Sequence, residues 1–220
     1  MKLELDHIFV CTELGAPEAD ELIHFGLREG EPNTHPGQGT ACRRIPLFNA
    51  MIELIWISDP AEAQSLATRR TQLWERWSGR HSGASPFGIC VRPASPVSPG
   101  DIQDAPFPGW NYKPSYLPET LAFQLGSAGI DEPMWVYLSF VTRQHREEQF
   151  VGHPKGIREI TGLVLNTPTA LRSEASRIIV KDGVISARPR DEPLLEIEFD
   201  HRRRGESRDF RPGLPFIFHF

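Results

Sequence analysis

The chain has 220 residues, of which 39% are hydrophobic and 24% charged, and its formal net charge is −5. This length allows a substantial hydrophobic core in one large domain or two small ones. The negative net charge excludes an overall basic field for nucleic acid, and no apolar run approaches the roughly 18 residues of a membrane helix. We therefore expect neither nucleic acid nor membrane among the partners.

The cysteines indicate the redox compartment. Cys11, Cys42 and Cys90 are odd in number and scattered, with no CxxC spacing. Each lies in a predicted strand, so we interpret them as buried free thiols in a reducing cytoplasm. No signal pattern precedes the first strand, and a cytoplasmic location is expected on both grounds.

In chain order, the first unit begins with an alternating strand over 3–11. A short helix over 15–25 and a polar, Pro/Gly-rich loop over 31–39 follow. Two further strands are predicted over 40–48 and 50–58. The order is that of a compact βαβββ unit.

The middle of the chain opens with a helix from Asp59 to Gly79, where Asp59 suits the N-cap and Pro60 the first helical position. A strand over 87–91 and a Pro-rich connection from Pro93 to Gly109 come next. The remaining strands of this region are predicted over 111–117, 120–125 and 134–140.

The last third repeats a similar pattern. Its predicted elements are a strand over 157–165, a helix over 167–179, and strands over 184–188, 194–199 and 214–220. Twenty prolines and eighteen glycines fit many short strands and turns. We therefore predict one domain over 1–220 with similar units at about 1–58, 84–141 and 157–220.

Two polar side chains lie on otherwise apolar strand faces. Because side chains alternate along a strand, His7 shares its face with Leu5 and Phe9. Glu53 likewise shares its face with Met51 and Ile55. An imidazole and a carboxylate on apolar faces cost free energy unless a metal ion, a substrate or each other provides a partner.

Other residues leave alternatives open. Arg43 and Arg44 face opposite sides of their predicted strand, so one of them either projects into a binding site for an anionic group or remains a surface charge. Trp110, Tyr112 and Tyr116 either line a pocket wall or pack in the core.

Three short motifs carry a family resemblance. They are Leu5-Asp6-His7-Ile8, the loop His35-Pro36-Gly37-Gln38-Gly39-Thr40, and Ile52-Glu53-Leu54-Ile55. Together they resemble the glyoxalase-like domain of the vicinal-oxygen-chelate superfamily, most densely over residues 3–58 and 152–166. The resemblance implies an α+β fold in which repeated βαβββ modules form a curved, half-open mixed sheet around a cup.

The resemblance also implies a site. His7 matches the first-strand metal ligand, and Glu53 matches the fourth-strand ligand with a catalytic role as well. A divalent metal (Zn, Mn, Fe, Ni or Mg) is expected in members of this kind, with His35 or Glu198 as the candidate third ligand. His35 and Thr40 are the candidate substrate contacts. The middle unit departs from the pattern because it offers no matching ligand.

The expected function is that of a glyoxalase-like lyase, isomerase or oxygenase acting on a small organic molecule in the cup. The alternative is a metal-free protein that sequesters such a molecule. Relatives in this superfamily often dimerise, so a homodimer is expected as well. A third option is a scaffold that acts only through its surface. For His7 and Glu53 themselves, the alternative to a site is a structural pair that holds two strands in register.

Overall fold

The computed structural model describes residues 2–95 and 104–220, and it shows an α+β protein with two sheets. The first is a curled, mixed, eight-stranded half-barrel, and the second has five strands. The α+β class and the curved mixed sheet are thus confirmed. The middle of the predicted Pro-rich connection, residues 96–103, lies outside the described residues.

The first sheet is built from the first eight strands. These are β1 (Leu3–Cys11), β2 (Asn33–His35), β3 (Thr40–Pro46), β4 (Met51–Ile57), β5 (Phe87–Pro93), β6 (Gly109–Tyr112), β7 (Phe123–Gly126) and β8 (Met134–Tyr137). Their spatial order is β2-β3-β4-β1-β5-β8-β7-β6. The antiparallel pair β1–β5 lies in the middle, and β4 and β8 pair in parallel with β1 and β5 respectively. Each half therefore repeats the same strand order outward from the centre.

The second sheet holds the remaining strands. These are β9 (Ile160–Thr167), β10 (Ser186–Pro189), β11 (Leu194–Phe199), β12 (Ser207–Asp209) and β13 (Phe216–His219). Their order is β10-β9-β11-β13-β12, again with a central antiparallel pair, β9–β11, flanked by parallel neighbours.

Within the described residues, five α-helices connect the strands. They are α1 (Ala19–Phe25), α2 (Pro60–Ala63), α3 (Leu73–Ser78), α4 (Arg143–Gln149) and α5 (Glu174–Lys181). The predicted continuous helix from Asp59 to Gly79 is wrong. Asp59 caps α2 as expected, with its Oδ1 accepting from two backbone N–H groups. Helix α2 ends at Ala63 with Gln64 as its C-cap, and Gln72 takes a left-handed φ of 57° immediately before α3 begins.

The faces of the first sheet have different environments. Ile8, Ile52 and Ile89 point to one face and join a large apolar core with Leu195 and Phe218 of the second sheet. A second, smaller apolar cluster lies on the opposite face. This alternation is the strand periodicity expected from the sequence. The residues next to these isoleucines in their strands, among them His7, Glu53 and Cys90, therefore face the hollow of the curled sheet.

No helix within residues 2–95 and 104–220 combines the length and the apolar character needed to span a bilayer.

Candidate functional site

The hollow of the eight-stranded sheet contains a cavity of about 310 Å³, called here the sheet cavity. Its walls come from both halves of the sheet: His7, Glu53 and Arg44 from the first half, and Cys90 and Val136 from the second. Thus the two polar residues that the sequence placed on apolar strand faces do line one and the same cavity.

His7 is oriented by its neighbour in the chain. The β1–β5 register shifts between Leu5 and His7, so Asp6 is an extra residue in the strand. Adjacent side chains normally point to opposite faces, but a bulge of this kind breaks the alternation. The Nδ1–H of His7 therefore donates a hydrogen bond of 2.7 Å to Asp6 Oδ1.

Two buried arginines hold Asp6 as an anion. Arg92 on β5 donates through Nη1 to Asp6 Oδ2 at 2.8 Å, and Arg146 on α4 donates through Nε to the same oxygen at 3.1 Å. Arg146 Nη2 also donates to Asp6 Oδ1. Burial alone would raise the pKa of Asp6, but the hydrogen bond from His7 and the charge of Arg146 outweigh it and hold that pKa well below its usual range.

The other ring nitrogen of His7 faces Glu53. Nε2 lies 3.9 Å from Glu53 Oε2, which is longer than a hydrogen bond and leaves both atoms accessible to a bound molecule. Burial lowers the pKa of His7, whereas the acidic neighbours Cys90, Glu53 and Asp6 raise it, and the net direction is well above the usual value. Between two carboxylates, the imidazole therefore favours its protonated form.

His35 and Thr40 lie at one edge of the sheet cavity and bind each other. They are register partners on β2 and β3. Asn33 Nδ2 donates to His35 Nε2 at 3.1 Å, which assigns the proton to His35 Nδ1, and this nitrogen donates to Thr40 Oγ1 at 2.9 Å. Gln38 Nε2 donates to the same hydroxyl at 2.8 Å. His35 lines the cavity, whereas Thr40 lies behind it and acts on the site through the imidazole.

The turn that presents this pair requires glycine. Gly37 and Gly39 have φ values of +79° and +75°, in the left-handed region. A Cβ on Gly39 would also lie 2.3 Å from the carbonyl oxygen of Asp59. The two glycines of the HPGQGT motif are therefore explained by the backbone conformation of the turn between β2 and β3.

The donor set does not fit a metal held by three protein ligands. Within the described residues no group of three or more His, Cys, Asp or Glu side chains lies close enough to hold an ion. Both ring nitrogens of His35 are engaged in the network above. Glu198 lies on β11 of the second sheet and pairs with Arg202 at 2.6 Å. His7 and Glu53 remain as two donors, fewer than catalytic zinc sites use.

The rest of the sheet cavity is apolar and aromatic. The rings of Tyr112, Tyr116 and Phe123 line it, and the centroid of Phe123 lies 6.4 Å from each of the two tyrosine rings. The hydroxyl of Tyr116 donates to Gln38 Oε1 at 3.1 Å. For these tyrosines the pocket-wall interpretation holds, whereas Trp110 is not among the lining residues.

Sequence reasoning missed much of the support for the site. Asp6 was part of a recognised motif, but its bond to His7 needs a bulge that no periodicity reveals. Arg92 carried a usable signal, since it is a charge in an otherwise apolar strand. Arg146 carried none: it belongs to a charged segment in which no helix was expected, and only packing brings α4 to Asp6.

Gly88 shapes the wall beside His7. It is the register partner of Phe9, and a Cβ at this position would lie 1.9 Å from the Phe9 ring. We expect Gly88→Ala to push that ring out of place and to lower the free energy of unfolding by about 1–3 kcal/mol. Urea denaturation measures the loss. Gly152→Ala, where a Cβ meets open space, is the matched control, and equal stability of the two variants would contradict the expectation.

The fold belongs to a class shared with solved structures: an α+β protein with a curled, mixed, eight-strand half-barrel sheet and a second, five-strand sheet. One matching structure is a crystal structure of a hypothetical protein from Staphylococcus aureus. The match covers 99% of each chain with 11% sequence identity and a TM-score of 0.55. At this identity the likeness shows the fold alone. No family model and no curated protein matches the chain.

Proposed function

We propose that this protein is a glyoxalase-like enzyme that moves a proton on a small organic molecule bound in the sheet cavity. The observation that supports this most directly is the alignment Asp6–His7–Glu53, with one carboxylate orienting the imidazole and the other facing it inside the cavity. The strand order of the eight-stranded sheet, repeated on both sides of the β1–β5 pair, supports two related modules of four strands each.

In the proposed chemistry Glu53 is the general base and removes an acidic proton from a carbon next to a carbonyl group. The electron pair moves onto the carbonyl oxygen, where the Nε2–H of His7 donates a hydrogen bond and stabilises the developing negative charge. The proton then returns to another carbon, as in an isomerase, or a group leaves, as in a lyase. Asp6 keeps His7 in the required orientation throughout.

A second candidate is a binding protein that sequesters its ligand without chemistry. It is favoured because the second half of the sheet adds no carboxylate to the cavity. Strands β5 and β8 contribute Cys90, Met134 and Val136. Under both proposals the partner is a small molecule. The homodimer and the divalent metal remain predictions from the family resemblance.

A compound panel tests the proposal and separates the two candidates. Small carbonyl and phenolic compounds are screened by thermal shift, and each one that binds is incubated with the protein and analysed for products by mass spectrometry. We expect the wild-type protein to turn over at least one of these compounds. Glu53→Gln should lower that turnover by about 10²–10⁴-fold and leave the affinity for the compound unchanged. The control Glu75→Gln changes an exposed carboxylate and should behave as wild type. Binding without any product would support sequestration instead.

A further inference from the structure

The sheet cavity contains two arginines in different electrostatic situations. Arg146 is bound to the carboxylate of Asp6 through two nitrogens, so its guanidinium already has a carboxylate partner. Arg44 has no carboxylate within 4.0 Å among the described residues. Its one side-chain hydrogen bond there runs from Nε to the backbone oxygen of Glu31, at 2.6 Å.

The terminal nitrogens of Arg44 are therefore left to a ligand. A guanidinium binds a carboxylate with two parallel hydrogen bonds, and its planar geometry favours this anion over a neutral group. Glu53 does not act as the carboxylate partner of Arg44. It is the register partner of Arg44 across β3 and β4, yet its carboxylate lies toward His7, whose protonated form offsets its charge.

The aromatic part of the cavity lining indicates what the rest of the ligand is. The rings of Tyr112, Tyr116 and Phe123 form a continuous aromatic surface, and Leu125 and Val136 extend it. Aromatic rings pack favourably against such a surface in offset or edge-to-face arrangements. The volume of about 310 Å³ suits a single small ring compound and is at the lower end of ligand pockets.

We propose that the sheet cavity selects a small aromatic carboxylate, with Arg44 binding its carboxylate group and the aromatic wall holding its ring. This inference rests on the proposed function only in taking the cavity as the substrate site. Arg44 and Glu53 are neighbours across β3 and β4, so the bound carboxylate lies beside the His7–Glu53 pair. The group that reacts is then close to the carboxylate end of the molecule.

The test compares two probes of the same shape, phenylacetate and its neutral amide phenylacetamide, by isothermal titration calorimetry on the full chain. We expect wild-type protein to bind phenylacetate about tenfold or more tightly than the amide. Arg44→Gln should abolish this preference and leave amide binding unchanged, and Arg44→Lys should retain part of it. Arg203→Gln, which removes an exposed arginine outside the cavity, should bind as wild type does.

Several outcomes would overturn the inference. These are equal affinity of wild type for both probes, no binding of phenylacetate at millimolar concentration, and a preference that survives Arg44→Gln. Arg44→Lys keeps the charge and provides a folded variant if Arg44→Gln is unstable. The two proposals fail separately: an Arg44-dependent preference without turnover removes only the enzyme, and turnover of neutral compounds that is unaffected by Arg44→Gln removes only the carboxylate selectivity.

Discussion

Asp6→Asn is expected to lower the free energy of unfolding by about 3–5 kcal/mol, a large part of the stability of an ordinary domain. The substitution keeps the shape of the side chain but removes its charge. Arg146 would then be a buried cation without its carboxylate partner, and the fully enclosed Arg92 would keep only Glu4, at 3.3 Å. Chemical denaturation with urea at pH 7 measures the loss.

Glu174→Gln is the matched control because it removes a carboxylate from an exposed ion pair with Arg177, 2.8 Å apart on α5. Surface pairs of this kind contribute about 0–1 kcal/mol. A loss of less than about 1 kcal/mol for Asp6→Asn would mean that the two arginines find other acceptors, and the account of Asp6 given above would be wrong.

The same carboxylate gives the stability of the protein a defined pH dependence. The pKa of Asp6 is lowered in the folded state, so its contribution is complete above the unfolded-state pKa of about 3.9 and decreases as the pH falls below it. The difference in stability between wild type and Asp6→Asn should therefore narrow from pH 5 toward pH 3. Urea titrations across this range measure it, and a constant difference would contradict the assignment.

His7→Gln and Glu53→Gln are each expected to reduce kcat by about 10²–10⁴-fold on the compound identified by the panel. The two residues act on one proton transfer, since Nε2 of His7 faces Glu53 Oε2 across 3.9 Å. Groups that work as a unit show non-additive effects. The double variant should therefore be little slower than the slower single variant, and steady-state kinetics on all four proteins measures this.

The structural interpretation of the same pair predicts a different result. If His7 and Glu53 only hold β1 and β4 together, His7→Gln unfolds the protein or lowers its stability as far as Asp6→Asn does. The control is His24→Gln, which replaces an exposed histidine on α1 outside the sheet cavity. Folded single variants whose kinetic losses simply multiply in the double variant would show that the two residues act independently.

The sequence predicted the strands better than the helices. Strand periodicity placed His7 and Glu53 on apolar faces, and both line the sheet cavity. It also located most strands, because alternation between a core face and a cavity face leaves a period of two. Helices were less predictable. The helix after Asp59 ends at Ala63, and Gln72 interrupts the remaining segment with a left-handed φ. Helix α4 has a charged sequence with no apolar stripe.

For the candidate site, the sequence indicated the functional residues but not the residues that bind them. The residue types were visible in the sequence, since a histidine or a glutamate among apolar strand residues needs a partner. Their partners were not. Arg92 and Arg146 reach Asp6 from positions 86 and 140 residues away, and the bulge at Asp6 depends on the pairing of β1 with β5.

The sequence by itself placed His7 and Glu53 on apolar strand faces, because this follows from local periodicity, and its short motifs indicated the class of fold through a family resemblance. Only the tertiary structure decided which arginine of the cavity has a carboxylate partner, which carboxylate orients the imidazole, and that Glu198 belongs to another sheet. Electrostatic partners are chosen by distance in space. The curl of the sheet and the packing of α4 set those distances between residues that are remote in the chain.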